Sequence, residues 1–130
     1  MRILLDTNAY SEMKRGQHGV ADLVRAAHEV VMSTVVVGEL LFGFALGSRS
    51  GPNRKELRAF LAAEQVSLVP VTLVTAERFG LVAAALRKKG RPIPTNDVWI
   101  AAHALETGAD LVSFDEHFAE IDGLAWVKPN

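Results

Sequence analysis

The chain of 130 residues contains no cysteine, and this absence removes several kinds of site at once. Without thiols there is no disulfide framework, no thiolate zinc centre and no cysteine nucleophile. Long hydrophobic runs are missing too, since no stretch reaches the ~20 mostly apolar residues of a membrane helix. The apolar residues 3–5 form a run far too short for a secretion signal. We therefore expect a cytoplasmic protein that does not enter a membrane.

Proline and net charge are also scarce, with five prolines and a formal charge of −1. Together with 49% hydrophobic residues, this composition excludes a disordered chain. A chain of this length buries about two-thirds of the surface that its unfolded form exposes, so it needs no covalent staple. Because no repeat, low-complexity tract or linker interrupts the sequence, we expect residues 1–130 to form one domain.

Short apolar runs of strand length recur along the chain, and each lies next to a longer segment with helical spacing. The runs are residues 3–5, 30–32, 67–69, 111–112 and 125–127. Strands that are apolar on both faces and alternate with helices are typical of a parallel sheet covered on both sides. The predicted fold is therefore α/β, with three α/β/α layers and a mostly parallel central sheet.

Three segments carry the clearest helix signals. The spacing predicts a helix over 72–89 that stops at Gly90, and another over 96–107 that stops at Gly108. Residues 34–37 are ambiguous, because their β-branched side chains would also suit a strand. Apolar positions continue beyond them at helical spacing and a hydroxyl side chain can cap the start, so we predict a helix there as well.

Four acidic residues lie at sequence positions that do not suggest an exposed, solvated side chain. Asp6 and Asp115 follow apolar strands, Asp97 begins a predicted helix, and Glu39 lies within an otherwise apolar helical segment. The carboxyl ends of parallel strands meet at one edge of a sheet, so these side chains can converge there. Converging carboxylates repel one another, and a hard divalent cation such as Mg²⁺ relieves that repulsion.

Each of these acids also has a purely structural explanation when it is taken alone. Asp6 and Asp115 could form turns at strand ends, and Asp97 could stabilise a helix N-terminus. Glu39 is the hardest to explain in this way, because an acid on an apolar helix needs a partner such as arginine. We favour a shared site because four independent structural explanations are together less economical than one.

The acids occur in four sequence motifs, which read ILLDTN at 3–8, EL at 39–40, PTNDVWIAA at 94–102 and LVSFDEHF at 111–118. Any one of these motifs is weak, but their order and spacing along the whole chain are specific. The set resembles PIN-domain ribonucleases, and more closely the VapC-type toxins of bacterial and archaeal toxin–antitoxin pairs.

The resemblance implies roles for particular residues. Asp6, Glu39, Asp97 and Asp115 match the acidic quartet that holds Mg²⁺ or Mn²⁺ in that family. The polar residues beside them that match supporting positions are Thr7, Asn8, Asn96 and Ser113. The two asparagines could equally cap helices, and the family more often has threonine where Ser113 stands. Glu116 is left open between a further ligand and an exposed loop acid.

The activity that the resemblance implies is that of an endoribonuclease toxin. It would hydrolyse RNA phosphodiester bonds with metal assistance, inhibit translation and growth, and be neutralised by a cognate antitoxin. A homodimer is implied too, and the apolar run 41–44 is a candidate contact surface, although core packing explains it better. The basic residues expected to hold RNA phosphates are Arg87, Lys88, Lys89 and Arg91, with residues 49–58 as a second contact. The alternative for both segments is a solvated helix end.

Two other functions are compatible with the sequence. A metal-independent ribonuclease could use pairs among His18, His28, His103 and His117, and its activity would survive EDTA. A non-catalytic RNA- or protein-binding module of the same fold would cleave nothing, even with Mn²⁺ present.

Overall fold

The computed structural model describes all of residues 1–130, and its centre is a sheet of five parallel strands. In chain order the elements are β1 (Arg2–Leu5), α1 (Thr7–Lys14), α2 (His18–Ala26), β2 (Glu29–Ser33), α3 (Thr34–Leu46), α4 (Ser50–Leu61), β3 (Val66–Val69), α5 (Leu73–Lys88), α6 (Thr95–Thr107), β4 (Asp110–Val112), a 3₁₀ turn (Glu116–Glu120) and β5 (Trp126–Val127). The α/β prediction is confirmed, and the sheet is entirely rather than mostly parallel.

The strand order is β3-β2-β1-β4-β5, which places β1 in the middle. The chain steps from β1 through β2 to β3 and then returns across the sheet to β4. Because parallel crossovers are right-handed, α1 to α4 cover one face of the sheet and α5 and α6 cover the other. β1 and β4 are neighbours in the sheet, and Leu5 is in register with Val112. The order in which the chain adds strands to the sheet reverses between these two strands. In open α/β sheets such a switch point leaves a crevice at the carboxyl ends of the strands.

The core contains 24 buried hydrophobic residues and is formed around the three central strands. Ile3, Leu4 and Leu5 of β1 are fully buried, as expected for a strand that is covered on both faces. The edge strand β3 departs from that expectation, since Leu68 is 47% exposed. Edge position explains the difference, because α5 and α6 return towards the centre of the sheet. None of the helices combines the length and the apolar character that a bilayer crossing requires.

The helices predicted over 72–89 and 96–107 are confirmed to within one residue at each end, and the third predicted helix is confirmed as α3. The ambiguous segment at 34–37 opens α3, and the Ser33 side chain caps it by accepting a hydrogen bond from the Val35 amide at 3.0 Å. α5 and α6 are followed by Gly90 and Gly108, whose φ angles of +71° and +69° lie in the left-handed region. Glycine reaches that region without steric cost, which is why both helices end there.

The residues of α5 that pack against the core are not its largest apolar side chains alone. Thr75, Val82 and Leu86 are buried, whereas Leu73 and Leu81 are 75% and 70% exposed. In the apolar run 41–44, Leu41 and Phe44 pack against the core while Phe42 is 68% exposed. Core packing therefore accounts for two members of that run, and α3 and α5 both leave large apolar side chains in solvent.

Candidate metal centre

Asp6 occupies the crevice at the end of the central strand. Its backbone ends β1 and its side chain caps α1, because Oδ1 accepts a hydrogen bond from the Ala9 amide at 2.8 Å. Oδ2 accepts a second hydrogen bond, from the Ser113 hydroxyl at 2.5 Å. Only 5% of the residue is exposed. The carboxylate is thus held from two sides, by the first turn of the next helix and by the neighbouring strand.

Ser113 connects this strand end to the next acid. The residue directly follows β4 and is fully buried, and its carbonyl accepts a hydrogen bond from the indole N–H of Trp126 at 3.0 Å. The Ser113 hydroxyl oxygen also accepts a hydrogen bond from the Asp115 amide at 2.9 Å. One hydroxyl therefore fixes the Asp6 side chain and the turn that carries Asp115.

Glu39 reaches the same region from α3 and has hydroxyl and amide partners rather than an arginine. Its Oε1 accepts a hydrogen bond from the Thr7 hydroxyl at 2.6 Å, and its Oε2 accepts one from the Asn96 amide at 3.3 Å. Asn96 therefore orients Glu39 and does not cap α6, whose N-cap position is occupied by Pro94. The charge of Glu39 is left without a counter-ion in its half-buried position.

Asp97 and Asp115 come together with a histidine. The ligand atoms of Asp97, Asp115 and His117 all lie within 4.8 Å of one another. Asp115 begins the 3₁₀ turn as its cap, since Oδ1 accepts a hydrogen bond from the His117 amide at 2.9 Å and lies 3.1 Å from Nδ1 of the same residue. Asp97 stands in the first turn of α6, where the helix N-terminus faces the ends of β1 and β4.

The electrostatics of the site couple the four acids. Burial and, in decreasing order, the charges of Asp115, Asp6 and Glu39 together raise the pKa of Asp97 to about 6, although His117 acts in the opposite direction. Burial is also the main cause that raises the pKa of Asp6, which the hydrogen bonds from Ser113 and Ala9 partly offset. The charges of Glu39 and Asp115 thus oppose the ionisation of both Asp6 and Asp97.

A family model for the PIN domain matches residues 3–124 of this chain. The chain belongs to the PIN domain family. It is 34% identical to Ribonuclease VapC1 of Haemophilus influenzae strain R2866. The alignment of 132 residues covers 97% of this chain and 96% of that protein. At this identity and coverage the chain also belongs to the VapC ribonuclease family, and the resemblance carried by its four motifs is confirmed.

Two solved structures have the same fold along their whole length. The structure of VapBC-1 from nontypeable Haemophilus influenzae has a TM-score of 0.86 at 28% identity and covers 98% of both chains. The structure of VapBC2 from Rickettsia felis, bound to a DNA fragment from their promoter, has a TM-score of 0.88 at 22% identity and covers 100% of both. This PIN-domain chain therefore has the architecture of the toxin–antitoxin proteins in both structures.

The side chains of this PIN domain fit a divalent cation. Carboxylate oxygens are the ligands that Mg²⁺ and Mn²⁺ accept, and Asp97 and Asp115 supply them within 4.8 Å of each other. The charges of Asp115, Asp6 and Glu39 add to the effect of burial on the pKa of Asp97, because these acids repel one another when they are ionised. A bound cation would relieve that repulsion, so the donor set and its electrostatics agree with the metal dependence of PIN nucleases.

Two residues named from the sequence lie outside the cluster. Asn8 is exposed in the first turn of α1 and makes no hydrogen bond to any of the four acids. Glu116 is exposed as well and pairs with Lys128 at 3.1 Å, so its carboxylate is engaged away from the metal centre. Sequence reasoning in turn missed His117 as a partner of the acids. The available signal was its position two residues after Asp115.

The basic residues of the predicted RNA-binding segment have different surroundings. Arg87 and Lys88 are exposed at the end of α5 and have no acidic partner. Lys89 donates to the Glu120 carbonyl and lies 3.4 Å from Asp122, so part of its charge is already compensated. Arg91 lines a small pocket that also contains His117, which brings it beside the acidic cluster.

Proposed function

We propose that this protein is a metal-dependent endoribonuclease in which Asp6, Glu39, Asp97 and Asp115 form one catalytic centre. The coupling of the four acids through the pKa of Asp97 is the observation that carries this proposal. Residues contributed by β1, α3, α6 and the turn after β4 would not influence one another unless the fold had brought their charges together. We propose that the whole chain acts as a single nuclease domain.

The proposed cation is Mg²⁺ or Mn²⁺. When bound, it supplies positive charge that activates water and stabilises the leaving oxygen of a phosphodiester. The chain positions the ligands for this chemistry beforehand. Ser113 and the Ala9 amide hold Asp6, while Thr7 and Asn96 hold Glu39, so both carboxylates have fixed orientations. We assign direct or water-mediated binding to the three aspartates, and binding or orientation of the attacking water to Glu39.

Basic side chains on two sides of the acidic centre support RNA as the substrate. Arg87, Lys88 and Arg91 are the members of the basic segment whose charge is not compensated by an acid, and we propose that they bind backbone phosphates. Lys89 is a weaker contributor because it already pairs with Asp122. These contacts position a strand without reading its sequence.

A second basic surface lies along α1, where Lys14, Arg15 and Arg49 line a cleft of about 360 Å³. Asp6 caps the N-terminus of α1 and Lys14 is the last residue of this helix. The eight positions that separate them correspond to about 12 Å along the helix axis, at 1.5 Å per residue. We propose that the cleft holds the phosphate of a nucleotide beyond the cleavage position. Of the segment 49–58, which is predicted as a second RNA contact, Arg49 is the basic side chain that lines this cleft.

The biological role that we propose is that of a toxin neutralised by an antitoxin. The relatives and solved structures named above are VapC ribonucleases and VapBC pairs, which supports an antitoxin partner. We propose that the C-terminal segment of this antitoxin covers the acidic cleft. We also propose a homodimer. Large apolar side chains exposed on α3 and α5 support a protein-binding surface there, namely Phe42, Leu46, Leu73 and Leu81.

The test is cleavage of single-stranded RNA by the purified protein with Mn²⁺, with Mg²⁺ and with EDTA. We expect cleavage with either ion and none with EDTA or in the Asp97→Asn variant. Glu116→Gln is the matched control, because it removes the acid next to Asp115 in the sequence, whose carboxylate pairs with Lys128, and it should leave cleavage unchanged. Cleavage that survives EDTA would instead indicate histidine catalysis. No cleavage under any condition, by protein that still binds RNA, would indicate a binding module.

A further inference from the structure

His117 is the only histidine at the acidic centre, and its surroundings differ from those of the other three. His103 is fully buried and bonds to the Ser33 hydroxyl at 2.7 Å and the Pro70 carbonyl at 3.0 Å. His28 contacts the chain's amino group, and His18 begins α2 beside the C-terminal residues. These three have structural or peripheral positions. In His117, by contrast, a ring nitrogen lies within 4.8 Å of carboxylate oxygens of both Asp97 and Asp115.

Both the backbone and the ring of His117 contact Asp115. Its amide donates to Asp115 Oδ1, and its ring Nδ1 lies 3.1 Å from the same oxygen. The turn that holds it is anchored in the core by Phe118, the next residue, which is 1% exposed. The imidazole is therefore presented to the carboxylates by a short element with a buried anchor.

We propose that His117 is a nitrogen ligand of the metal centre, alongside Asp97 and Asp115, and that it makes the protein bind Mn²⁺ in preference to Mg²⁺. This inference rests on the proposed metal-dependent function and adds a ligand that an acidic quartet alone does not contain. An imidazole nitrogen and two carboxylate oxygens are a mixed donor set. Mg²⁺ is a hard ion that binds oxygen donors and water, whereas first-row transition ions also accept imidazole nitrogen.

The nitrogen donor explains why the site should prefer Mn²⁺ to Mg²⁺. In an all-oxygen site the two ions compete on similar terms, and cellular Mg²⁺ is favoured by abundance. One nitrogen ligand adds a contact that benefits Mn²⁺ and offers little to Mg²⁺. His117 remains 61% exposed through its side chain, so a cation and its waters can reach the ring without any rearrangement of the core.

The test is pulsed EPR of the full-length protein loaded with Mn²⁺, which detects the coupling of a directly bound ¹⁴N nucleus to the metal. We expect this coupling in the wild type and its loss in His117→Asn, whose side chain can still hydrogen-bond Asp115 but offers no imidazole. The Mn²⁺ dissociation constant should rise about tenfold in this variant, which corresponds to ~1.4 kcal/mol. The Mg²⁺ constant, measured by competition, should change by less than about twofold on the same scale. His18→Ala is the matched control, since it removes an exposed histidine outside the centre.

Three results would overturn the assignment of His117. They are the absence of nitrogen coupling in the wild type, its persistence in His117→Asn, and an equal weakening of Mn²⁺ and Mg²⁺ binding. After any of these results the proposed acidic centre is still supported, provided that Asp97→Asn abolishes metal binding. If Asp97→Asn binds Mn²⁺ as tightly as the wild type, the ion does not occupy the acidic cluster, and the proposed function fails together with the role of His117.

Discussion

Replacing Asp97 by asparagine should stabilise the metal-free protein while abolishing its activity. Asparagine keeps the shape of the side chain and removes the charge that Asp115, Asp6 and Glu39 oppose. In the wild type, folding forces this carboxylate into a partly buried position next to three like charges. The unfolded chain has no such cost, so the charge lowers the free energy of unfolding at neutral pH.

The magnitude follows from the pKa of Asp97, which rises from 3.8 to about 6 on folding. A difference of this size corresponds to about 3 kcal/mol against the ionised folded form. Water screens part of the repulsion at a half-buried side chain, so we expect a gain of about 1–2 kcal/mol in the variant. For a domain of this size, that gain corresponds to a rise of about 3–8 °C in melting temperature.

The pH dependence has a defined direction. Because the folded pKa is raised, the folded state retains a proton that the unfolded state has already lost between pH 3.8 and about 6. The wild type should therefore lose stability as pH rises through this range and show the full penalty above it. The variant lacks this component, so the difference between the two melting temperatures should be largest at neutral pH and nearly vanish near the lower limit.

The assay is thermal unfolding of both proteins in EDTA across this pH range, repeated at neutral pH with Mn²⁺. The ion should stabilise the wild type by about 1.4–2.7 kcal/mol at ~10–100 times its dissociation constant, and the variant much less. The reasoning is refuted if the variant melts at or below the wild type in EDTA at neutral pH. It is equally refuted if Mn²⁺ shifts both melting curves by the same amount.

Three further variants, one of them a double substitution, test other parts of the centre and its surroundings. Asp6→Asn should abolish RNA cleavage with an unchanged circular dichroism spectrum, because the amide keeps the hydrogen bond from Ala9 but not the charge. Ser113→Ala removes a donor to Asp6 and should raise the pKa of that acid further and weaken metal binding, as an upward shift of the pH profile of cleavage would show. Arg87→Ala combined with Lys88→Ala should lower RNA affinity for all sequences and reduce the slope of its salt dependence by about two, and an unchanged slope would make them solvated helix ends.

Much of the fold and the identity of the acids could be predicted because both depend on local signals. Fully apolar strands such as β1 can only be buried on both faces, which forces a covered parallel sheet. Gly90 and Gly108 mark helix ends because the backbone there is left-handed. Asp6 and Asp115 follow strands, so a parallel sheet already brings them to one edge.

The remaining features depend on contacts between distant segments, to which the sequence pattern is insensitive. Periodicity shows that α5 is a helix but does not decide which of its apolar side chains pack, since Val82 is buried whereas Leu73 and Leu81 are exposed. His117 joins the acids only through the tight geometry of a 3₁₀ turn. The basic cleft combines Lys14 of α1 with Arg49 from the start of α4, two residues that share no sequence motif.

The pairing of β1 with β4 has a consequence for how this enzyme is made on the ribosome. The hydrogen bond between Ser113 and Asp6 joins residues 107 positions apart, and Asp115 lies later still. Because synthesis proceeds from the N-terminus, a nascent chain that has not reached β4 lacks one edge of its central strand and one of its four acids. We expect that such an intermediate cannot assemble the proposed metal centre. The proposed nuclease would therefore stay inactive until the ribosome has made β4 and the turn that carries Asp115.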